Sequence, residues 1–267
     1  MKAVMSRIDK AFARAKAENR AAFVPYLTAG FPDPETFLEQ ASKLLDIADV
    51  LEVGMPYSDP LGDGPTIQQS GEAALRAGMT MDKTLELVKA LRQNSDKAIV
   101  MMTYYNPIYV RGEEKFVRDL KEAGADGVIL PDLPPDEGET MIATAREADL
   151  DTVFLVAPTS TDARLKRVTQ DCRGFVYAVS VTGVTGARTA LPADVPDLVR
   201  RTKMFTDLPV AVGFGVSSGD TARPIAHVAD GVVVGSALIK KLAAGEDLAP
   251  LARDIVDACV KGEPVAS

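Results

Sequence analysis

Ala98–Leu130, AIVMMTYYNPIYVRGEEKFVRDLKEAGADGVIL, holds one complete structural period of this chain. Ala98–Thr103 is a short apolar run without polar alternation, as expected of a strand buried on both faces. Glu113–Ala123 reads as an amphipathic helix of about three turns. Gly127–Leu130 is a second apolar run, so the order is strand, helix, strand. Two such strands joined by a helix lie parallel in one sheet.

The same period continues toward the C-terminus. Strands are expected at Thr152–Val156, Phe175–Val179, Pro209–Val212 and Gly231–Val234, with helices at Glu137–Ala148, Asp162–Thr169, Val195–Lys203 and Gly219–His227. A last helix, Leu248–Lys261, carries Leu248, Leu251, Ala252, Ile255, Val256 and Cys259 on one face. Asp136 with Glu139 fits a capping box and Ser217 fits an N-cap.

Toward the N-terminus, Met5–Glu18 has helical spacing at Met5, Ile8, Phe12 and Ala15. Ala22–Thr28 reads as a strand, although Pro25 cannot donate to a ladder. Asp33-Pro34 starts a helix whose stripe is Phe37, Ala41, Leu44, Leu45 and Ala48. Val50–Val53 is the next strand, and Ile67–Ala77 and Leu85–Arg92 are helical, the second capped by Thr80. Together these make eight β/α units, the number that closes a (β/α)8 TIM barrel. An open doubly wound sheet is the alternative, but its Gly-x-Gly-x-x-Gly turn does not follow the first strand. The expected architecture is one α/β barrel domain over residues 1–267, with an extra N-terminal helix and short helices in the strand-2 and strand-8 loops.

Such barrels work at the carboxyl ends of their strands, and the unusual residues of this chain fall there. Leu51–Gln68, LEVGMPYSDPLGDGPTIQ, sets Glu52 inside an apolar strand and Asp63 between two glycines of a proline-rich loop. Burying an unpaired carboxylate is costly, and chains accept that cost where the acid has chemistry to perform. Two acids within reach of each other suit proton transfer. The residues alone leave a second reading open, in which Glu52 pairs with a Lys or Arg and Asp63-Gly64 is an ordinary turn. Tyr104-Tyr105-Asn106-Pro107 follows strand three, Pro131-Asp132-Leu133-Pro134 follows strand four, and Tyr177 lies in strand six. The loops Gly54–Pro65, with Asp59, and Ser180–Pro192, with Thr185, are roughly twice the usual length for a βα connection and read as closing lids.

Gly213-Phe214-Gly215-Val216-Ser217 follows strand seven, and Gly235-Ser236 ends strand eight and opens a helix at Ala237–Leu242. The N–H groups of Gly215, Gly235 and Ser236 can converge on a phosphate, since glycine lets an anion approach closely and a helix start favours it.

The 38 acidic against 30 basic residues give a net charge of −8 and argue against nucleic acid or an anionic membrane as the main partner. His227 is the only histidine, which rules out a multi-histidine zinc site and a serine triad. Cys172 and Cys259 lack metal-ligand spacing and are expected as reduced thiols. Met1–Arg7 lacks the apolar core of a signal peptide, so a soluble cytoplasmic protein is expected.

End to end, the chain resembles the alpha-subunit family of tryptophan synthases. The resemblance rests on Phe23-Val24-Pro25-Tyr26, Glu52 through Gln68, Tyr104-Tyr105-Asn106-Pro107, Pro131-Asp132-Leu133-Pro134, Tyr177 with Gly183-Val184-Thr185-Gly186, Gly213-Phe214-Gly215, and Gly235-Ser236-Ala237. Met55, Tyr57 and Gly62 stand where that family often has Val, Phe and Ala; none of these changes alters a carboxylate.

The resemblance implies retro-aldol cleavage of indole-3-glycerol phosphate to indole and glyceraldehyde 3-phosphate. It assigns proton traffic at indole C3 and the adjoining hydroxyl to Glu52, the indole N–H to Asp63, and a place beside Glu52 to Tyr177. The indole slot is expected to be lined by Phe23, Met102, Tyr104, Ile129, Leu155 and Phe214, and the phosphate to be held by Gly186, Gly215, Gly235 and Ser236. For each slot residue, plain core packing remains the competing reading. The resemblance further implies no metal or cofactor in this chain and a pyridoxal-phosphate beta subunit as partner in an αββα complex that passes indole through a tunnel. Pro56, Asp59, Asn106 and Pro134 sit on loops where such a partner could dock.

Overall fold

The computed structural model of the chain describes residues 5–179, 194–213 and 215–261. Eight parallel strands close into a barrel in sequence order: β1 (Ala22–Thr28), β2 (Val50–Gly54), β3 (Ala98–Met102), β4 (Gly127–Leu130), β5 (Asp151–Val156), β6 (Val176–Val179), β7 (Val210–Gly213) and β8 (Gly231–Val234), which pairs back onto β1. Each strand is followed by an outer helix, in turn α2 (Pro34–Ile47), α4 (Met81–Gln93), α6 (Glu113–Ala123), α7 (Glu139–Glu147), α8 (Asp162–Asp171), α9 (Asp194–Lys203), α10 (Gly219–Val228) and α12 (Ala249–Ala258). Among the described residues four helices are additional: α1 (Arg7–Ala17) before β1, α3 (Pro65–Arg76) after β2, α5 (Tyr105–Arg111) after β3 and α11 (Ser236–Ala243) after β8.

Closure creates two separate apolar layers. Val24, Val50, Val100, Ile129, Val153, Phe175, Ala211 and Val233 fill the barrel interior, and α1 plugs its base with Ile8 and Phe12. The Phe12 and Phe175 rings lie 5.3 Å apart at that plug. Alternate strand residues, among them Phe23, Leu27, Leu51, Ile99 and Phe154, pack outward against the helices. Pro25 is accommodated because β1 changes partner there: Ala22–Pro25 register with β8 and Tyr26–Thr28 with β2.

An acid collar ties the base. Asp49, Asp126 and Asp230 immediately precede β2, β4 and β8, and each accepts the N–H of a residue at the foot of the preceding strand. The donors are Phe23, Ile99 and Val210, each at 2.9 Å. Arg14 and Arg20 meet Asp49, Arg7 and Arg92 meet Asp126, and Lys203 meets Asp230. The carboxylates thus neutralise cations while satisfying backbone donors that the ladder leaves over.

Three local expectations change. Asn106, expected on a loop, lies in the helix Tyr105–Arg111, whose first N–H donates to Asp132 at 2.9 Å. The α7 N-cap is Gly138, because Asp136 is drawn to Arg164 and Arg167 on α8. Ser218, not Ser217, caps α10, in a capping box with Thr221.

Candidate active site

Glu52 sits on the inner face of β2, in register with Tyr26 on β1 and Val100 on β3. It is 1 % exposed, and its Oε2 has no hydrogen-bond partner. Among the described residues no cation pairs with it, so the ion-pair reading of this residue fails. Burial, reinforced by the nearby Asp63 charge, pushes the Glu52 carboxyl up to about 8 from an ordinary 4.5.

Asp63 comes from the loop between β2 and α3, and that loop is tied by its own backbone. The Asp63 N–H donates to the Pro60 carbonyl at 3.1 Å, and the Gln68 side chain donates to the Asp63 carbonyl at 2.9 Å. Gly62 donates its N–H to the Tyr104 hydroxyl at 3.0 Å, and Tyr104 stacks on Tyr57 with ring centroids 5.1 Å apart. Burial raises the Asp63 carboxyl to about 6, an effect the Tyr104 hydroxyl partly offsets. Two carboxyls are therefore held with different proton affinities on either side of neutrality, the pattern that separates acid and base roles.

Tyrosines surround the pair. Tyr177 lies on the inner face of β6 above Phe175, and a Cβ on Gly213 would come within 2.7 Å of its ring. Gly213 therefore makes the room Tyr177 occupies. Burial and then the Glu52 and Asp63 charges hold the Tyr177 hydroxyl protonated well above its usual range. Met102 and Leu155 are partly buried and cap the interior layer beside Tyr177, while Ile129 is fully buried next to Met102.

Phe23 is a correction. It is fully buried in the outer layer, because its neighbours Ala22 and Val24 take the inner face and strand side chains alternate. Tyr26 takes the inward position instead, with its hydroxyl against Gly54, where any Cβ would overlap it. Sequence reasoning passed over Tyr26. The signal available was a phenol in a strand, AFVPYLT, whose other polar side chain is Thr28.

Beyond the ends of β7 and β8, Gly215 has φ +53°, a conformation that favours glycine. Gly235 caps α11, Ser236 opens it, and its first turn has no acidic residue. Helix-start N–H groups free of competing carboxylates suit a phosphate. Asp59 is exposed and accepts a hydrogen bond from the Ser58 hydroxyl at 2.6 Å. Thr185, Gly186 and Phe214 lie outside the described residues. Among the described residues no three His, Cys, Asp or Glu side chains assemble as a metal site.

Comparison with known proteins bears on this arrangement. A family model described as "Tryptophan synthase alpha chain" matches residues 12–260. The tryptophan synthase alpha chain of Deinococcus radiodurans is 53 % identical over 256 residues, covering 96 % of this chain and 95 % of that protein. That of Geotalea uraniireducens is 49 % identical over 237 residues, 88 % of this chain and 89 % of that one. A structure of Mycobacterium tuberculosis tryptophan synthase superposes with a TM-score of 0.91 at 44 % identity, covering 97 % of this chain and all of the matched chain. The tryptophan synthase A-subunit of Pyrococcus furiosus superposes with a TM-score of 0.83 at 38 % identity, over 90 % of this chain and 99 % of that one. With a closed eight-stranded barrel, a buried acid within β2 and similarity to that family along almost its whole length, this chain belongs to the tryptophan synthase alpha chain family.

Proposed function

We propose that Glu52 and Asp63 carry the family's lyase reaction, the cleavage of indole-3-glycerol phosphate to indole and glyceraldehyde 3-phosphate. A protonated Glu52 gives its proton to indole C3, which turns the ring into an indolenine-like cation. Asp63 accepts a hydrogen bond from the ring N–H and stabilises that positive charge. The Glu52 carboxylate then takes the proton of the glycerol hydroxyl next to the ring. The C3–C bond breaks as the hydroxyl becomes the aldehyde, and its electron pair restores the aromatic indole. Glu52 ends protonated, so the cycle closes without an external acid.

The observation that carries this reading is Glu52 itself: buried, with one oxygen unpartnered and its proton held to about pH 8. Such a group passes between acid and base near neutrality with little driving-force penalty. Tyr177 packs beside it, and Met102, Tyr104 and Leu155 offer flat apolar walls for the indole, with Ile129 below them. In this reading Gly215, Gly235 and Ser236 hold the phosphate, and Asp59 belongs to a lid loop. The whole chain, 1–267, acts as one barrel domain without a metal or organic cofactor of its own.

The partner in this reading is a pyridoxal-phosphate beta subunit in an αββα heterotetramer, which receives the indole for L-tryptophan synthesis in the cytoplasm. Leu61, Tyr109 and Val110, on the β2–α3 loop and α5, expose large apolar side chains. Apolar groups so placed at the barrel mouth fit a docking surface. The fold itself contains no described helix long and apolar enough to cross a membrane.

The test is indole release from indole-3-glycerol phosphate, measured spectroscopically with and without beta subunit. Glu52→Gln and Asp63→Asn are each expected to lower turnover by at least ~10², the scale of a lost acid/base group. Near-normal release from either variant removes the role assigned to that residue.

A further inference from the structure

Three buried hydroxyls run from Tyr26 on β1, the strand neighbour of Glu52, into α3. The Tyr26 hydroxyl lies 3.3 Å from Thr28 Oγ1, and Thr28 Oγ1 lies 2.6 Å from Ser70 Oγ. Ser70 Oγ in turn donates to the Ile67 carbonyl at 2.8 Å. Tyr26 is 7 % exposed and Thr28 and Ser70 are 1 % exposed, so water does not compete for these protons.

The last acceptor fixes the direction of the whole chain. A carbonyl oxygen only accepts, so the Ser70 proton points to Ile67. The Ser70 oxygen then accepts from Thr28, and the Thr28 oxygen accepts from Tyr26. Every proton is aimed down into α3. Tyr26 and Glu52 are lateral neighbours on paired strands, and the Tyr26 hydroxyl rests on Gly54 at the exit of β2. The phenol therefore turns an oxygen lone pair, not a proton, toward the acids, and Glu52 Oε2 is left without a donor.

We propose that Tyr26, Thr28 and Ser70 are positioning residues, a one-way hydroxyl chain that withholds the Tyr26 proton from Glu52 and so keeps that carboxyl able to retain its own. The inference rests on the reading of Glu52 as the proton carrier. Its physical basis is that a hydrogen bond donated to a carboxylate stabilises the charged form, and a buried tyrosine deprived of its acceptor turns to the next one available. The titratable group whose charge bears on Glu52 is Asp63 from the loop after β2; Tyr26 from β1 and Tyr177 from β6 lie in the field of both acids, Tyr26 more strongly in that of Asp63, and Tyr104, at the end of β3, bears on Asp63.

The experiment is a carboxyl carbon NMR titration of glutamate-labelled protein, with the Glu52 signal assigned by its loss in Glu52→Gln. Thr28→Val removes the acceptor of the Tyr26 proton at nearly constant volume. The Glu52 midpoint is expected to fall by about one unit, a tenfold weaker hold on the proton. Ser70→Ala, which frees Thr28 to donate back to Tyr26, moves it the same way by less and serves if Thr28→Val does not fold. Tyr26→Phe combined with Thr28→Val restores the midpoint, because no donor remains, whereas a purely structural effect of Thr28→Val would persist. The pH profile of indole release shifts in parallel. An unmoved midpoint in the foldable single variants, or a double variant that fails to restore it, overturns the hydroxyl chain. A Glu52 signal that does not titrate between about pH 6 and 10, or full turnover by Glu52→Gln, overturns instead the role of Glu52 itself.

Discussion

Replacing Glu52 by Gln is expected to inactivate the protein and also to stabilise it, by an amount that grows with pH. The folded protein holds the Glu52 proton to about pH 8, while the unfolded chain releases it near 4.5. Between those values the folded state binds one more proton than the unfolded state, so stability falls as pH rises and levels off only above the folded value. Each unit is worth about 1.36 kcal/mol, so at pH 7 the wild-type chain gives up on the order of 3 kcal/mol relative to pH 4. Glutamine keeps the shape of the neutral acid and never ionises, so it escapes this loss. The gain is expected to be under about 1 kcal/mol at pH 5 and about 3 kcal/mol at pH 7, the latter an increase of roughly 5–10 °C in Tm. Urea titrations of both proteins at a series of pH values measure it directly. Because the Asp63 charge contributes to the Glu52 shift, the increment shrinks in an Asp63→Asn background. A stability increment independent of pH, or a Glu52→Gln protein less stable than wild type at pH 8, would refute the claim that burial holds the Glu52 proton.

Two further outcomes test the framework around the site. Asp126→Ala leaves Arg92 and the Ile99 N–H without their carboxylate partner at the barrel base, and a broken buried pair of this kind costs about 3–5 kcal/mol. Denaturant melts should show that loss with KM for indole-3-glycerol phosphate little changed, since the base lies away from the strands' carboxyl ends; a shift below about 1 kcal/mol would demote the acid collar to a surface feature. Gly213→Ala drives a methyl to within 2.7 Å of the Tyr177 ring, and overpacking of that order costs about 1–3 kcal/mol. Turnover is expected to fall more than stability because the displaced ring lies beside Glu52, and a fully active Gly213→Ala protein would remove Tyr177 from the site.

The repeating apolar runs, the helix starts at Asp33-Pro34 and Thr80, and the loop that carries Asp63 could all be read along the chain. They depend on neighbours a few residues apart: a cap and its N–H, a proline at a first turn, a run of residues buried on both faces. Glu52 was legible for the same reason, since a carboxylate in an apolar run stands out without any partner in view. Which residues of β1 face the interior was not legible, because all seven are buried and no polar alternation marks the two faces. Only closure of the barrel, with β1 passing from β8 to β2 at Pro25, turns Phe23 toward the helices and Tyr26 toward Glu52. The raised proton affinity of Glu52 depends on the surrounding barrel and on Asp63 from the following loop, and the hydroxyl chain from Tyr26 to Ser70 exists only once Thr28 and Ser70, 42 positions apart, are brought together. Local sequence decides what each segment becomes, whereas the desolvation and the partners that give an acid its chemistry come from segments distant along the chain and adjacent only in the fold.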